Sequence, residues 1–334
     1  MADLARRAGV HVATVSRALR DDPRISTGRR AAVRQAAMEL GYRPNPLVAA
    51  LMAARRTRRS PAFQATLGWI TKVPPERAEA FERDFGELHR GAAERAAQQG
   101  YQLQAFNLAA DVSGRRTTEI LLSRGIRGLV VAPLHSIQDA LELDWARFGT
   151  IAVGYSWAGA PVSRVAHNHF TGLMLAARRC REAGRGRAGL VLPRRVHEKV
   201  EKRWLAADLL DQAERQEGER VPALILDEPD EQRFLTWLRR HRPAAILCLE
   251  VERITAWLAR AGRRVPEDVA VVSLDRRPAD RGVAGINQDY AALGSNAVDL
   301  LVGVLQRNEV GVPPQPVTIL AEGRWVGGRS LAPR

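Results

Sequence analysis

Apolar residues recur every three or four positions through the first forty residues. Leu4, Ala5 and Ala8 form one set, Val15, Ala18 and Leu19 a second, and Val33, Ala36, Ala37 and Leu40 a third. Each set falls on one face of an α-helix, so the pattern predicts three short helices around a small shared core. Gly9 ends the first, because glycine takes positive φ without a Cβ penalty. Asp21-Asp22-Pro23 reads as a turn, and Ser26 as the N-cap of the third helix, with Arg29 where a capping box would place Glu. Gly41 closes that helix. Asn45 and Pro46 then suit the N-cap and first turn of an Ala-rich helix that runs into Arg55 and Arg56. A helix of roughly ten residues is marginal by itself and gains its stability from a partner.

Beyond residue 61 the period changes. Strand-like runs, most of them apolar throughout, stand at Thr66–Ile70, Gln102–Ala105, Gly128–Ala132, Thr150–Gly154, Ala188–Leu192, Ala223–Leu226, Ala244–Cys248 and Val269–Leu274. They alternate with helical stretches such as Asp84–Gln99, Phe170–Ala183, Glu201–Gln216 and Glu231–His241. Unbroken apolar strands joined by helices imply parallel sheets covered on both faces. The runs fall into two groups, which predicts two doubly wound subdomains with a ligand cleft at the carboxyl ends of their strands. The expected fold is a small all-α helix-turn-helix headpiece followed by an α/β domain of two parallel-sheet subdomains.

Charge sharpens this division. The net charge is +14, and residues 1–60, with thirteen arginines and four acidic residues, carry +9 of it. A small, strongly basic module is the electrostatic footprint of phosphate binding. Within it, Gly9–Arg17 turns Val15 inward and Ala13, Ser16 and Arg17 outward. An outward arginine on such a helix pairs bidentately with guanine in a major groove. Taken alone, the same nine residues also fit a plain amphipathic hairpin. Cys180 and Cys248 lie in apolar contexts, as buried thiols do in a reducing compartment. No amino-terminal apolar run resembles a signal peptide, and no run is long enough to span a membrane, so a cytoplasmic location without membrane contact is expected. The first helix begins almost at Met1, which suggests a start a few residues upstream.

The ordered motifs Asp3-Leu4-Ala5, Gly9-Val10-His11-Val12-Ala13-Thr14-Val15-Ser16-Arg17 and Gly41-Tyr42-Arg43-Pro44-Asn45-Pro46 resemble the headpiece of the LacI/GalR family of bacterial transcriptional regulators. The resemblance implies that Val12, Ala13 and Arg17 hold base-reading positions and that Thr14 and Ser16 lie near phosphates. It implies that Leu51 is the leucine wedged into the minor groove at the centre of a pseudo-palindromic operator. His11 stands where the family usually has serine, which weakens the helix N-cap and turns an extra donor towards DNA. Val12 and Ala13 reach a thymine methyl but hydrogen-bond no base edge.

The rest of the chain resembles the family's periplasmic-binding-protein-like effector domain. The landmarks are Arg90-Gly91-Ala92 through Gly100-Tyr101, Arg124-Gly125-Ile126-Arg127-Gly128, and Arg263-Arg264-Val265-Pro266-Glu267-Asp268-Val269. The implied organisation is a headpiece at 1–43, a hinge helix and basic linker at 44–61, and an effector and dimerisation domain at 62–334. Within the last, one subdomain would take 62–155 and 287–318, the other 156–286 and 319–334. The resemblance points to Asp275 and Arg203 as effector ligands, to Asn168 where Asp is usual, and to Glu250 near a position often Asn or Asp. Of the family's pocket aromatics only Phe85 is matched. Tyr155 and Trp157 would stack on a sugar or pack internally. His167 and His169 lack a third ligand, so no metal site is expected, nor any cofactor or catalytic constellation.

The reading is a homodimeric, sequence-specific repressor, not an enzyme, whose affinity for double-stranded operator DNA is controlled by a small polar effector such as a sugar. With no leucine-rich heptad tail, a dimer is expected and not a tetramer. The α/β half alone equally fits a sugar-type solute-binding protein with no DNA role; the headpiece favours the regulator.

Overall fold

The computed structural model describes residues 2–11, 14–15, 18, 25–39, 65–108, 113–277 and 280–333. Val12, Ala13, Ser16, Arg17, Leu51 and the segment 44–61 lie outside the described residues.

In the headpiece, α1 (Ala2–Arg7) stops before Gly9, whose φ is 62°. The next helical turn starts on the carbonyl of His11, which accepts from the amides of Thr14 at 2.8 Å and Val15 at 3.1 Å. Helix α2 (Thr27–Glu39) follows directly after Ser26, whose carbonyl accepts from the Arg30 amide at 3.0 Å. Ala5, Val15, Ala18, Val33 and Ala36 are buried in one cluster, the face that the sequence periodicity marks. Arg7 of α1 pairs with Glu39 of α2 at 2.8 Å. That pair is exposed and adds little, so the apolar cluster holds the helices together.

The α/β part holds two six-stranded sheets. The first contains β1 (Ala65–Thr71), β2 (Tyr101–Asn107), β3 (Gly128–Val131), β4 (Gly149–Val153), β5 (Ser163–His167) and β11 (Thr318–Ala321), in the order β11-β5-β4-β3-β1-β2. Every neighbouring pair in it is parallel. The second contains β6 (Ala188–Pro193), β7 (Leu224–Leu226), β8 (Ala245–Cys248), β9 (Ala270–Ser273), β10 (Ala284–Asn287) and β12 (Arg324–Val326), in the order β12-β10-β9-β8-β6-β7, with only β12 antiparallel. Strands β3 and β4 are buried along their whole length, as strands sandwiched between helices must be.

Helices α3 (Ala78–Gln98) and α10 (Tyr290–Gln306) cover one face of the first sheet, and α4 (Gly114–Ser123) covers the other. Around the second sheet, α5 (His169–Glu182) and α7 (Arg203–Ala213) pack on one face, α8 (Glu231–His241) and α9 (Val251–Arg260) on the opposite one. The short α6 (Arg194–Lys199) leaves the carboxyl end of β6. Helices α3 and α10 approach closely enough that only glycine fits. A Cβ on Gly91 would stand 2.1 Å from the Ala291 carbonyl oxygen, and one on Gly294 would stand 2.1 Å from that of Leu88.

The chain passes between the sheets three times: after β5, after β10 and after β11. The expected division at 155/156 is therefore corrected. Strand β5 pairs with β4 and β11, so the first passage lies at Asn168, and β11 keeps residues up to Ala321 in the first subdomain. The segment Ser156–Pro161, with Gly159 and Pro161, breaks one strand-like run but does not end the sheet. The passages are tied together. Asn168 Nδ2 donates to Glu322 Oε1 at 2.7 Å, and Arg324 Nη2 pairs with Asp289 Oδ2 at 2.5 Å.

Candidate functional site

The two sheets point their carboxyl ends at a shared cleft of about 540 Å³. From the first lobe it is lined by residues after β1 (Lys72 to Pro74), the start of α3 with Phe81 and Phe85, and Tyr155, His167 and Tyr290. The second lobe supplies His169, α6, Trp204, Glu250, Asp275 and Arg277. This is where a doubly wound fold gathers strand ends and helix starts, and so where its ligands bind.

Asp275 forms the polar centre. It follows β9, and its Oδ2 accepts from Tyr290 Oη at 3.0 Å and from Arg277 Nη2 at 2.8 Å. Its Oδ1 is buried with no partner. Burial raises the carboxyl above its ordinary range, and Arg277 opposes that rise. The Arg277 guanidinium also lies 3.9 Å from the centroid of the Tyr290 ring.

A second group surrounds this centre. His167 and His169 stand 5.9 Å apart, and His169 packs 4.3 Å from Trp204. Both imidazoles are held neutral. Burial is the main cause for each, pushing His167 well down and His169 to about 3. Both ring nitrogens of His167, Nδ1 of His169 and the Tyr155 hydroxyl are buried without partners. A buried polar atom without a partner loses its solvation for nothing in return, so such atoms are uncommon and need an explanation. Five of them, counting Asp275 Oδ1, sit on residues of one cleft.

The residues singled out from the sequence divide. Asp275 and Glu250 line the cleft. Glu250 is engaged by Arg195 at 3.4 Å and Arg253 at 2.5 Å. Arg203 does not line it; the guanidinium stacks 4.1 Å from the Tyr155 ring centroid and pairs with Glu201 at 2.8 Å. Asn168 does not line it either. It caps α5, its Oδ1 accepting from the Thr171 amide at 3.3 Å, while its amide holds Glu322. Trp157 is buried in the first lobe, 4.6 Å from Trp145, whereas Tyr155 reaches the cleft. Of the expected DNA-contacting residues, the structure describes His11, exposed, and Thr14, half-buried.

Sequence reading missed Arg77, His135, Arg195 and Lys199 on the cleft wall and the Arg277–Tyr290 pair. The one signal available was the four-residue spacing of Arg195 and Lys199, which stacks two cations on one helix face.

Comparison with known proteins decides what headpiece and cleft belong to. Residues 1–45 match the family described as bacterial regulatory proteins, lacI family, and residues 177–331 match the periplasmic binding protein-like domain. The chain carries the DNA-binding domain of the lacI family of bacterial regulatory proteins together with a periplasmic binding protein-like domain. It is 27% identical to the HTH-type transcriptional repressor PurR of Haemophilus influenzae (strain PittEE), over 93% of this chain and 92% of that protein. In fold it is similar to the transcriptional regulator CelR in complex with cellobiose, with a TM-score of 0.61, 21% identity and 98% of both chains covered. It is also similar to the lac repressor dimer bound to operator and the anti-inducer ONPF, with a TM-score of 0.60, 20% identity, and 99% of this chain and 98% of that one covered. The chain is thus a DNA-binding transcriptional regulator with an effector-binding domain, and its relatives are repressors, not enzymes. Among the described residues, no helix is long and apolar enough to cross a membrane.

Proposed function

We propose that the protein is a cytoplasmic, homodimeric repressor that releases a pseudo-palindromic operator when a small polar effector occupies the cleft. The observation that carries the effector reading is the set of unpartnered polar atoms around Asp275. A polyhydroxyl ligand would meet them with complementary donors and acceptors. The CelR–cellobiose complex supports a sugar-type ligand, and the lac repressor dimer on its operator supports the paired arrangement. Two headpieces in successive major grooves would place Arg17 of each on a base edge, with Thr14 and Ser16 near phosphates and the Leu51 pair at the centre. The division into a headpiece at 1–43, a hinge segment at 44–61 and an effector domain beyond belongs to the same reading.

Ligand shifts the equilibrium only as far as it binds the non-operator state more tightly, so binding and DNA release must be linked in both directions. The test is selection of duplex from a random pool by the purified full-length protein, followed by titration with and without candidate effectors. A palindromic consensus is expected, and Arg17→Ala should cost roughly 1–3 kcal/mol on it and relax the preference at one base position. Equal loss on consensus and scrambled duplex would make Arg17 a phosphate contact only. Failure to select any palindrome would overturn the operator reading.

A further inference from the structure

We propose that the effector carries an anionic group, a phosphate or carboxylate on a small polyol, seated between Arg77 and His135 of the first lobe and Arg195 and Lys199 of the second. The proposal rests on the reading of the cleft as the effector site, and it names the ligand class.

Six lysines and arginines line the cleft against four carboxylates. Four of the cations can be accounted for: Lys72 donates to the Ala140 carbonyl at 2.9 Å, Arg83 stands 3.8 Å from Asp84, Arg277 holds Asp275, and Arg195 reaches Glu250. Arg77 and Lys199 have no carboxylate within 4.0 Å among the described residues. Arg77 instead donates to Nε2 of His135, which needs that nitrogen unprotonated. Burial first, and then the field of Lys199, keeps the His135 ring neutral. Lys199 is pushed down to about 8, by burial first and by Arg195 next.

Arg195 and Lys199 lie one turn apart on α6, and like charges at that spacing weaken a helix. Of the nearby carboxylates, Glu250 is shared between Arg195 and Arg253, Asp84 lies beside Arg83, and Asp139 accepts from the Ser136 amide at 2.9 Å. A fold that gathers six cations from both lobes against four carboxylates, with Arg77 and Lys199 unpaired by any carboxylate among the described residues, leaves an excess of positive charge that an anion would neutralise. Lysine occurs in this chain only at 72, 199 and 202, against forty-eight arginines. Its ammonium is a compact point charge suited to phosphate or carboxylate. An anion held from both sides also removes the repulsion between the lobes and favours their closure.

The test uses the full-length protein, calorimetry and thermal shift. The probes are inorganic phosphate and the matched sets glucose 6-phosphate, gluconate and glucose, and ribose 5-phosphate and ribose. An anionic member is expected to bind at least about tenfold tighter than its neutral counterpart. The phosphate and gluconate arms identify the head group. The double variant Arg195→Gln/Lys199→Gln should lose that preference, retain neutral-sugar affinity, and melt no lower than the unsubstituted protein without ligand. Equal binding of charged and neutral members, anion binding unchanged in the variant, or no response to phosphate or any anionic member each overturns the proposal. An anion that binds but leaves operator affinity unchanged overturns the effector reading and not the anion seat. A neutral sugar that alone changes operator affinity does the reverse.

Discussion

The phenol of Tyr290 donates a 3.0 Å hydrogen bond to Asp275 Oδ2 across the line where the two lobes meet. Tyr290 opens α10 of the first lobe, and Asp275 follows β9 of the second. One oxygen of Asp275 thus joins the lobes while the other remains for a ligand.

Asp275→Ala removes both functions and leaves Arg277 without its counter-charge. Effector affinity should fall by about 1.5–3 kcal/mol, roughly tenfold to a hundredfold. Operator affinity without effector should stay within about twofold, because the headpiece is untouched. Fluorescence anisotropy on operator DNA with increasing effector reads both, and a normal response would remove Asp275 from the ligand contacts.

Asn168 stands at a cap and not on the cleft wall. Asn168→Ala should lower stability by about 0.5–2 kcal/mol through the lost cap on α5, while Asn168→Ser keeps a capping oxygen and a donor without placing a second carboxylate beside Glu322. Effector affinity should be unchanged in the Ser variant. Denaturant melts beside calorimetry separate the roles, and lost ligand binding in a fully stable Asn168→Ala protein would restore a contact role.

The α3–α10 contact has no room for a side chain at Gly294. Gly294→Ala should therefore destabilise by about 1–3 kcal/mol, although alanine has the better helix propensity. Gly303 lies on the same helix, where the nearest atom to an added Cβ is the Arg307 guanidinium at 3.3 Å, and alanine there should be neutral or stabilising. Thermal melts of the pair decide it, and equal melting temperatures would mean that the two helices can separate.

His169 gives a pH signature. Its folded value of about 3 lies below the ordinary 6.5, so the unfolded chain binds the proton first. Stability from this ring is complete above pH 6.5 and is lost as pH falls towards about 3, by roughly 3–5 kcal/mol. Asp208, raised to about 7 chiefly by burial, works in the opposite sense, gaining stability as pH falls from 7 towards 3.8. The two are separated by comparing variants. The stability of the wild type minus that of His169→Phe should rise from pH 3 to 6.5 and then level off. A pH-independent difference would show that the imidazole titrates normally in the fold.

Much of the fold was legible because its elements bury simple periodic faces. Val15, Ala18, Val33 and Ala36 announce the headpiece core, and the runs at Gly128 and Ala245 announce central strands. Strand β5 was harder, since Ser163, Arg164 and His167 interrupt its apolar residues and its burial comes from neighbours distant in sequence. Asp275 was reached through the family resemblance, and it does line the cleft at the end of a buried strand. Asn168 and Arg203, reached the same way, do not, because the same residue types serve as caps and stacking partners, and only the fold decides which. The cationic wall was hidden for another reason. Arginine is so frequent in this chain that Arg77 and the Arg195–Lys199 pair hardly stand out, and the three segments that carry Arg77, His135 and this pair meet only on folding.

The links Asn168–Glu322 and Asp289–Arg324 each include a residue of the third passage, so all three passages are fastened into one stalk. Two bodies joined in this way would close on a ligand by turning about the stalk, as pages do about a spine, and the far ends of the lobes would then travel further than the residues at the cleft.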